Sequence, residues 1–233
     1  MTIRKRWVAL LAGLVGVGSV SFALAFPAPM ACLAINAYGF EADSERFLVP
    51  ADSNQEEKSK YKNLVQQARE RITTAFGQPE ADPIVVFFNS PRAFWPLHLN
   101  LHGQAPTIGG RACLIIGPNG QNIDVVAHEL MHAEMHRRVG SWMMFREVPA
   151  WFDEGVAMQM DYRERYAMSH EQLPSTTYVR EFASYGEFFN GQNSYAAAKR
   201  EVRIWLTEVG VGTLYGRLDR LKNGAPFAAI TEQ

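Results

Sequence analysis

Two histidines four residues apart, with a glutamate directly after the first, constrain this chain more than any other feature. They stand in Val125-Val126-Ala127-His128-Glu129-Leu130-Met131-His132. On a helix, positions i and i+4 share one face, a turn apart, so both imidazoles point the same way. Two neutral ring nitrogens so placed can hold one zinc ion. Glu129 then projects to where a carboxylate reaches water on the metal rather than the metal itself. Ile123 to Ala127 is mostly apolar, as in a buried helix, and Val139-Gly140 offers an end. The helix is therefore expected from near Asn122 to Arg138, with Asn122 or Asp124 as its cap.

A second motif supplies a candidate third ligand. In Pro149-Ala150-Trp151-Phe152-Asp153-Glu154-Gly155-Val156-Ala157, Glu154 lies twenty-two positions beyond His132. A carboxylate between Phe152 and Val156 is costly to bury unless it meets a cation. Zinc would supply that charge; a salt bridge to an arginine is the plainer alternative. The helix is expected to start at Pro149, where a missing N–H costs little.

With these two motifs the chain resembles the gluzincin metallopeptidases, and within them the peptidase-MA-like group, over about Ile84 to Phe227. The metzincin pattern would need Gly at 135 and His at 138, where Met135 and Arg138 stand. The resemblance implies an α+β, zincin-like fold: a small mixed sheet packed on the active-site helix, with a helical C-terminal part. It implies His128, His132 and Glu154 as ligands of one Zn2+. It further implies Glu129 as general base for a zinc-activated water that hydrolyses a peptide or protein substrate. Some gluzincins place a Tyr or His to donate to the oxyanion. Here Tyr195 is the first candidate, followed by Tyr185 and His170. Thermolysin-like relatives support a ligand His with an Asp four residues past the Glu ligand, but that position is Met158. Ligating histidines need an outer acceptor, so Asp161, Asp124 or a backbone carbonyl is expected instead. In the zincin family the strand beside the helix is a sheet edge that pairs with extended substrate; Ala112 to Ile116 is expected there. Two rivals stand beside this reading. One is a catalytically inactive zinc-binding or assembly protein of the same fold. The other is a membrane-anchored structural protein whose motif is accidental.

The N-terminus carries Arg4-Lys5-Arg6 before an apolar run from Trp7 to Phe26. That order favours a cytoplasmic N-terminus and an exported remainder, on the periplasmic or extracellular side. Ala23-Leu24-Ala25 fits a signal-peptidase site, yet the run is also long enough to span a bilayer as an anchor. Both readings stay open, and the second would bring membrane association. Pro29-Met30-Ala31 before Cys32 is no convincing lipobox. Export permits disulfides. Cys32 and Cys113 are the two cysteines; they form a bridge or stay as two thiols. A formal net charge of −1 gives no reason to expect a nucleic-acid partner.

The expected organisation is 1–26 as signal peptide or anchor, 27–55 as an extended lead-in and 56–233 as one domain. A helix is expected from about Gln55 to Phe76, where apolar residues repeat at three and four before Gly77 and Pro79. Strands are expected at Pro83 to Phe88 and Ala112 to Ile116, with a loop over 91–111 between them. His98 and His102 are four apart but flanked by Pro96 and Gly103, and read as surface or cleft residues. His136 reads as a neighbour of the site. Glu134, Arg137 and Arg138 read as a solvated face. A connector, Ser141 to Val148, carries Trp142, Met143, Met144 and Phe145 as core or cleft wall. Helices follow from Ser194 to Gly210 and from Leu214 to Lys222.

Overall fold

The computed structural model describes residues 27–44, 46–167 and 178–231. The N-terminal run and His170 lie outside the described residues. Among the described residues no helix is long and apolar enough to cross a membrane.

A short helix, α1 (Pro27–Leu33), leads into β1 (Phe40–Ser44) and β2 (Phe47–Pro50), which pair antiparallel. The extended lead-in expected over 27–55 is thus corrected. Its apolar residues are too few to show a period alone, but they gain order by pairing with the next strand. Asn54 then caps α2 (Gln55–Phe76) through a reciprocal box. Its side chain accepts from the Glu57 N–H at 2.9 Å, and the Glu57 carboxylate accepts from the Asn54 N–H at 3.0 Å. Tyr61, Ala68, Ile72 and Phe76 form the buried stripe of that helix.

β3 (Ile84–Phe87) runs parallel to β2 and carries the chain into the loop the prolines announce. Inside that loop stand two strands of two residues each, β4 (Gly103–Gln104) and β5 (Thr107–Ile108), before β6 (Arg111–Ile116). β6 runs parallel to β3 on one side. On the other side β4 and β5 pair antiparallel with its two halves. The six strands make one mixed sheet in the order β1-β2-β3-β6-β4, with β5 off that path and also paired to β6. The strand at 111–116 is therefore not the edge strand expected from the resemblance; β4 is. Two-residue strands leave no periodicity to read, which is why the preceding loop hid the edge.

Both sheet faces are covered, which explains the unbroken apolar runs. Val85, Phe87, Leu114 and Ile116 point to the layer of α2 and the helix that follows β6. Val86, Phe88, Cys113 and Ile115 point to the other layer, with Ala31, Phe94 and Leu97. On that second side a disulfide joins Cys32 of α1 to Cys113 of β6.

Helices complete the fold: α3 (Ile123–Val139), α4 (Ser141–Glu147), α5 (Ala150–Ala157), α6 (Tyr185–Asn190), α7 (Ser194–Val209), α8 (Leu214–Lys222) and α9 (Phe227–Thr231). The class is α+β, as expected, with α3 packed on β6 and α2. The connector at 141–148 is itself helical: Met144 is buried, while Trp142 and Phe145 are exposed.

One expectation about α3 fails. Arg137 is exposed, but Glu134 is fully buried and Arg138 nearly so. Glu134 receives the Arg138 Nε–H at 2.5 Å and the Ala81 N–H at 2.7 Å. The Arg138 guanidinium also stacks 3.8 Å from the Tyr215 ring centroid. The pair is internal because α8 and the turn after α2 close over this face of α3, and each charge is buried with a partner.

Candidate metal centre

The floor of the site is α3. Asn122 starts it by accepting from the Val125 N–H at 3.0 Å, and Gly140, at φ 84°, ends it by donating to the His136 carbonyl. This 17-residue helix sets His128 directly beneath His132. α5 crosses it and is held from behind by α7. Gly155 permits that closeness, because a Cβ there would lie 2.7 Å from the Ala198 carbonyl oxygen and 2.5 Å from Val202. The crossing turns Glu154 toward the two imidazoles.

His128 Nε2 lies 3.1 Å from His132 Nε2. Glu154 Oε2 lies 3.4 Å from the first and 3.5 Å from the second. All three residues are buried. His132 Nδ1 meets the Asp153 carboxylate at 2.9 Å, so the proton belongs on Nδ1 and Nε2 presents a lone pair. Among the described residues Glu154 Oε2 has no hydrogen-bond partner. Lone pairs of one imidazole and one carboxylate thus converge with a second imidazole on one point, and buried acceptors without a donor are costly. Among the described residues, His128, His132 and Glu154 are the group that could hold a metal ion, with ligand atoms all within 4.8 Å of one another. Among the described residues no arginine pairs with Glu154, which faces the imidazoles instead.

No protein-family model, curated protein or solved structure gives a significant match to this chain.

The electrostatics follow from the same packing. Burial would raise the Glu154 carboxyl, but the positive character of His132 and His128 overcomes it and holds the group at about 2. Burial would lower His132, yet Asp153 and then Glu154 leave it well above its usual value. Both shifts have one cause, imidazoles and carboxylates facing one another in a buried site. Glu129 is different: burial dominates, and its carboxyl is raised. A carboxylate made more basic is suited to accept a proton.

Asp153 is the functional residue the sequence reading missed. Asp124 is spent on Arg71 at 2.6 Å, and Asp161 on Arg163, so neither supports an imidazole as expected. Met158, at the position of the thermolysin-like support, is buried. Asp153 holds His132 and also accepts the Tyr185 O–H at 2.6 Å. The signal was present: two adjacent acids in an otherwise apolar helix both need partners.

Above the centre opens a cleft of about 760 Å³. Glu129, Tyr195 and Tyr185 line it, as do His102 and His136, while His98 is exposed outside it. Of these histidines none joins the metal group. β4 forms one wall. Gly103 there lies so close to Glu129 that a Cβ would sit 2.7 Å from its Cγ and Oε1. Tyr195 stands among Glu154, Glu129 and Tyr166; burial first, then the Glu154 charge, keeps its phenol protonated and able to donate.

Proposed function

We propose that this chain is a zinc-dependent peptidase of gluzincin type, exported, whose substrate is a peptide or protein. The observation that carries it is the convergence of two imidazole nitrogens and an unpartnered buried carboxylate oxygen at the floor of an open cleft, beside a second, more basic carboxylate. The donor set of two nitrogens and one oxygen suits zinc and leaves a coordination position open. When bound, the ion would supply Lewis acidity and water acidified toward neutrality.

The protein groups then divide the work. Glu129 takes a proton from the attacking water and returns it to the leaving amine. Its high basicity serves the first transfer, and the acid it becomes serves the second. Asp153 holds His132 in one tautomer and one orientation. Tyr195 donates from the cleft wall to the oxygen that becomes negative as the carbonyl is attacked. Tyr185 is a weaker candidate for that part, because its O–H already serves Asp153. β4 ends the sheet on the cleft side and offers an extended substrate a strand to lie along. The Cys32–Cys113 disulfide supports export, since such bonds persist in oxidising compartments.

The test is a pair of variants assayed for metal and for turnover. The parent is expected to hold one equivalent of zinc and to cut members of a broad peptide library, with activity lost on chelation. Glu129→Gln should keep zinc and lose roughly 10²–10⁴-fold in turnover, whereas Glu154→Ala should lose zinc. A Glu129→Gln protein as active as its parent would refute the base assignment. A zinc-loaded parent that cuts nothing would refute the peptidase.

A further inference from the structure

The edge of the sheet does not stop at β4. β4 and β5 follow one another along β6, with Gly103 opposite Ile116 and Thr107 opposite Ala112. The edge therefore runs on from the cleft over His128 and His132 toward the start of β6. α3 keeps pace with it. Val125 and Glu129 close on Gly103. Farther along, Ala133, His136 and Arg137 share a second cleft, of about 360 Å³, with Thr107 and Arg111. His136 lines both clefts. Helix and edge present their residues in the same order, so the two clefts are successive parts of one groove.

The second cleft has an unmatched charge. Among the described residues it is lined by two carboxylates, Glu80 and Asp82, and three guanidiniums, Arg46, Arg111 and Arg137. Both acids are already paired: Asp82 with Arg46, and with Arg69 at 3.7 Å, and Glu80 with Arg138 at 3.4 Å. Arg111 and Arg137 are left over. Both are exposed, and neither has an ion pair with a described carboxylate. A guanidinium is a fixed fork of donors that matches a carboxylate. The distance to the first cleft also fits a peptide. Ala133 and Arg137 lie three and seven positions beyond 130, the midpoint of His128 and His132. At 1.5 Å per helical residue that is about 5–10 Å. An extended chain covers it in about two or three residues.

We infer that the groove continues past His136 into a second subsite, where Arg111 and Arg137 bind a carboxylate that the peptide carries two or three residues from the bond to be cut. As a statement about substrate it rests on the peptidase reading above. Two sources share this chemistry, an acidic side chain and the end of the chain.

The experiment uses full-length, zinc-loaded protein in detergent and fluorescently labelled octapeptides, read by anisotropy. A phosphinate replaces the central amide, so that the ion fixes the register and nothing is cut. One Glu is walked through the positions on both sides of the phosphinate, against Gln at the same position. Glu two or three residues away on one side should tighten binding about fivefold, as one solvated charge contact does. Arg111→Glu together with Arg137→Glu should turn that gain into a loss. Arg165→Glu, which changes a cation of the first cleft, should leave it unchanged. Shortened peptides that end at the favoured position, as free acid or as amide, separate the sources. A gain from Glu in an amidated peptide assigns a side chain, and a gain from the free acid alone assigns the chain end. No gain from either would overturn the inference, as would a gain that survives the double substitution, a gain lost with Arg165→Glu, or failure of every phosphinate to bind. Cleavage of unmodified peptides by the parent is scored separately. Cleavage without the acid preference would remove only this proposal, and the preference without cleavage would remove only the peptidase.

Discussion

At the scale of single residues, Asp153 does two jobs through two oxygens. One accepts from His132 Nδ1, and the other accepts from the Tyr185 hydroxyl. The first contact fixes the tautomer that leaves Nε2 free to bind a metal. The second keeps the carboxylate from turning away. Removing the carboxylate leaves a buried N–H without an acceptor and an imidazole free to rotate. Asp153→Ala is therefore expected to weaken zinc binding about 10–100-fold, the usual cost of losing such a support. Asp153→Asn keeps an acceptor and loses the charge, so it should fall between the parent and Asp153→Ala. Tyr185→Phe leaves the carboxylate on the ring and should cost less than either. Titration against a competing chelator measures all three. An Asp153→Ala protein with parental zinc affinity would show that something else orients His132.

At the scale of elements, the site depends on how closely β4 approaches α3. Gly103 has no Cβ, and the Glu129 side chain occupies that space, with Val125 Cγ1 only 2.9 Å from where a Cβ would be. Gly103→Ala is expected to displace the Glu129 carboxylate while sparing His128, His132 and Glu154, which come from α3 and α5. Misplacing a catalytic group by about 1 Å can cost about 10²-fold, so turnover should fall by that order with zinc content unchanged. Loss of zinc together with activity would mean the strand supports the ligands and not the base. This approach also marks the limit of what the sequence discloses. α2 was legible from Gln55 to Phe76 because twenty-two residues hold one period, and the His128–His132 face was legible for the same reason. β4 was not, because two residues become a strand only when β6 is alongside. Glu134 and Arg138 were misread because a charged pair on one helix face looks the same in sequence whether solvent or another helix covers it. Asp153 was overshadowed by Glu154, since only the crossing of α5 over α3 shows which neighbour meets which ring.

For the whole molecule, the sheet separates two structural duties. The α2–α3 side carries the residues that could hold a metal ion. The α1 side carries a smaller core of Ala31, Ile35, Phe94 and Leu97, tied to β6 by the Cys32–Cys113 bridge. That bridge closes a loop with a sequence separation of 81. In the chain-entropy account a loop of that size withholds about 4 kcal/mol of freedom from the unfolded chain. At about 2–4 °C per kcal/mol for a domain of this size, reduction should lower Tm by roughly 8–16 °C. A Cys32→Ser, Cys113→Ser double variant should reproduce the shift. Zinc binding at 25 °C should not change, because no ligand lies on the bridged side of the sheet. Chelation should act separately: it removes the cation that stabilises His128, His132 and Glu154 in place, and lowers Tm by mass action whether or not the bridge is intact. Scanning calorimetry on the four combinations, bridged or reduced, with zinc or with chelator, measures both effects. The two shifts should add, as they do for sites without shared partners. A reduced protein that loses its zinc at 25 °C would show that the sheet transmits strain from one face to the other, and that the two duties are one.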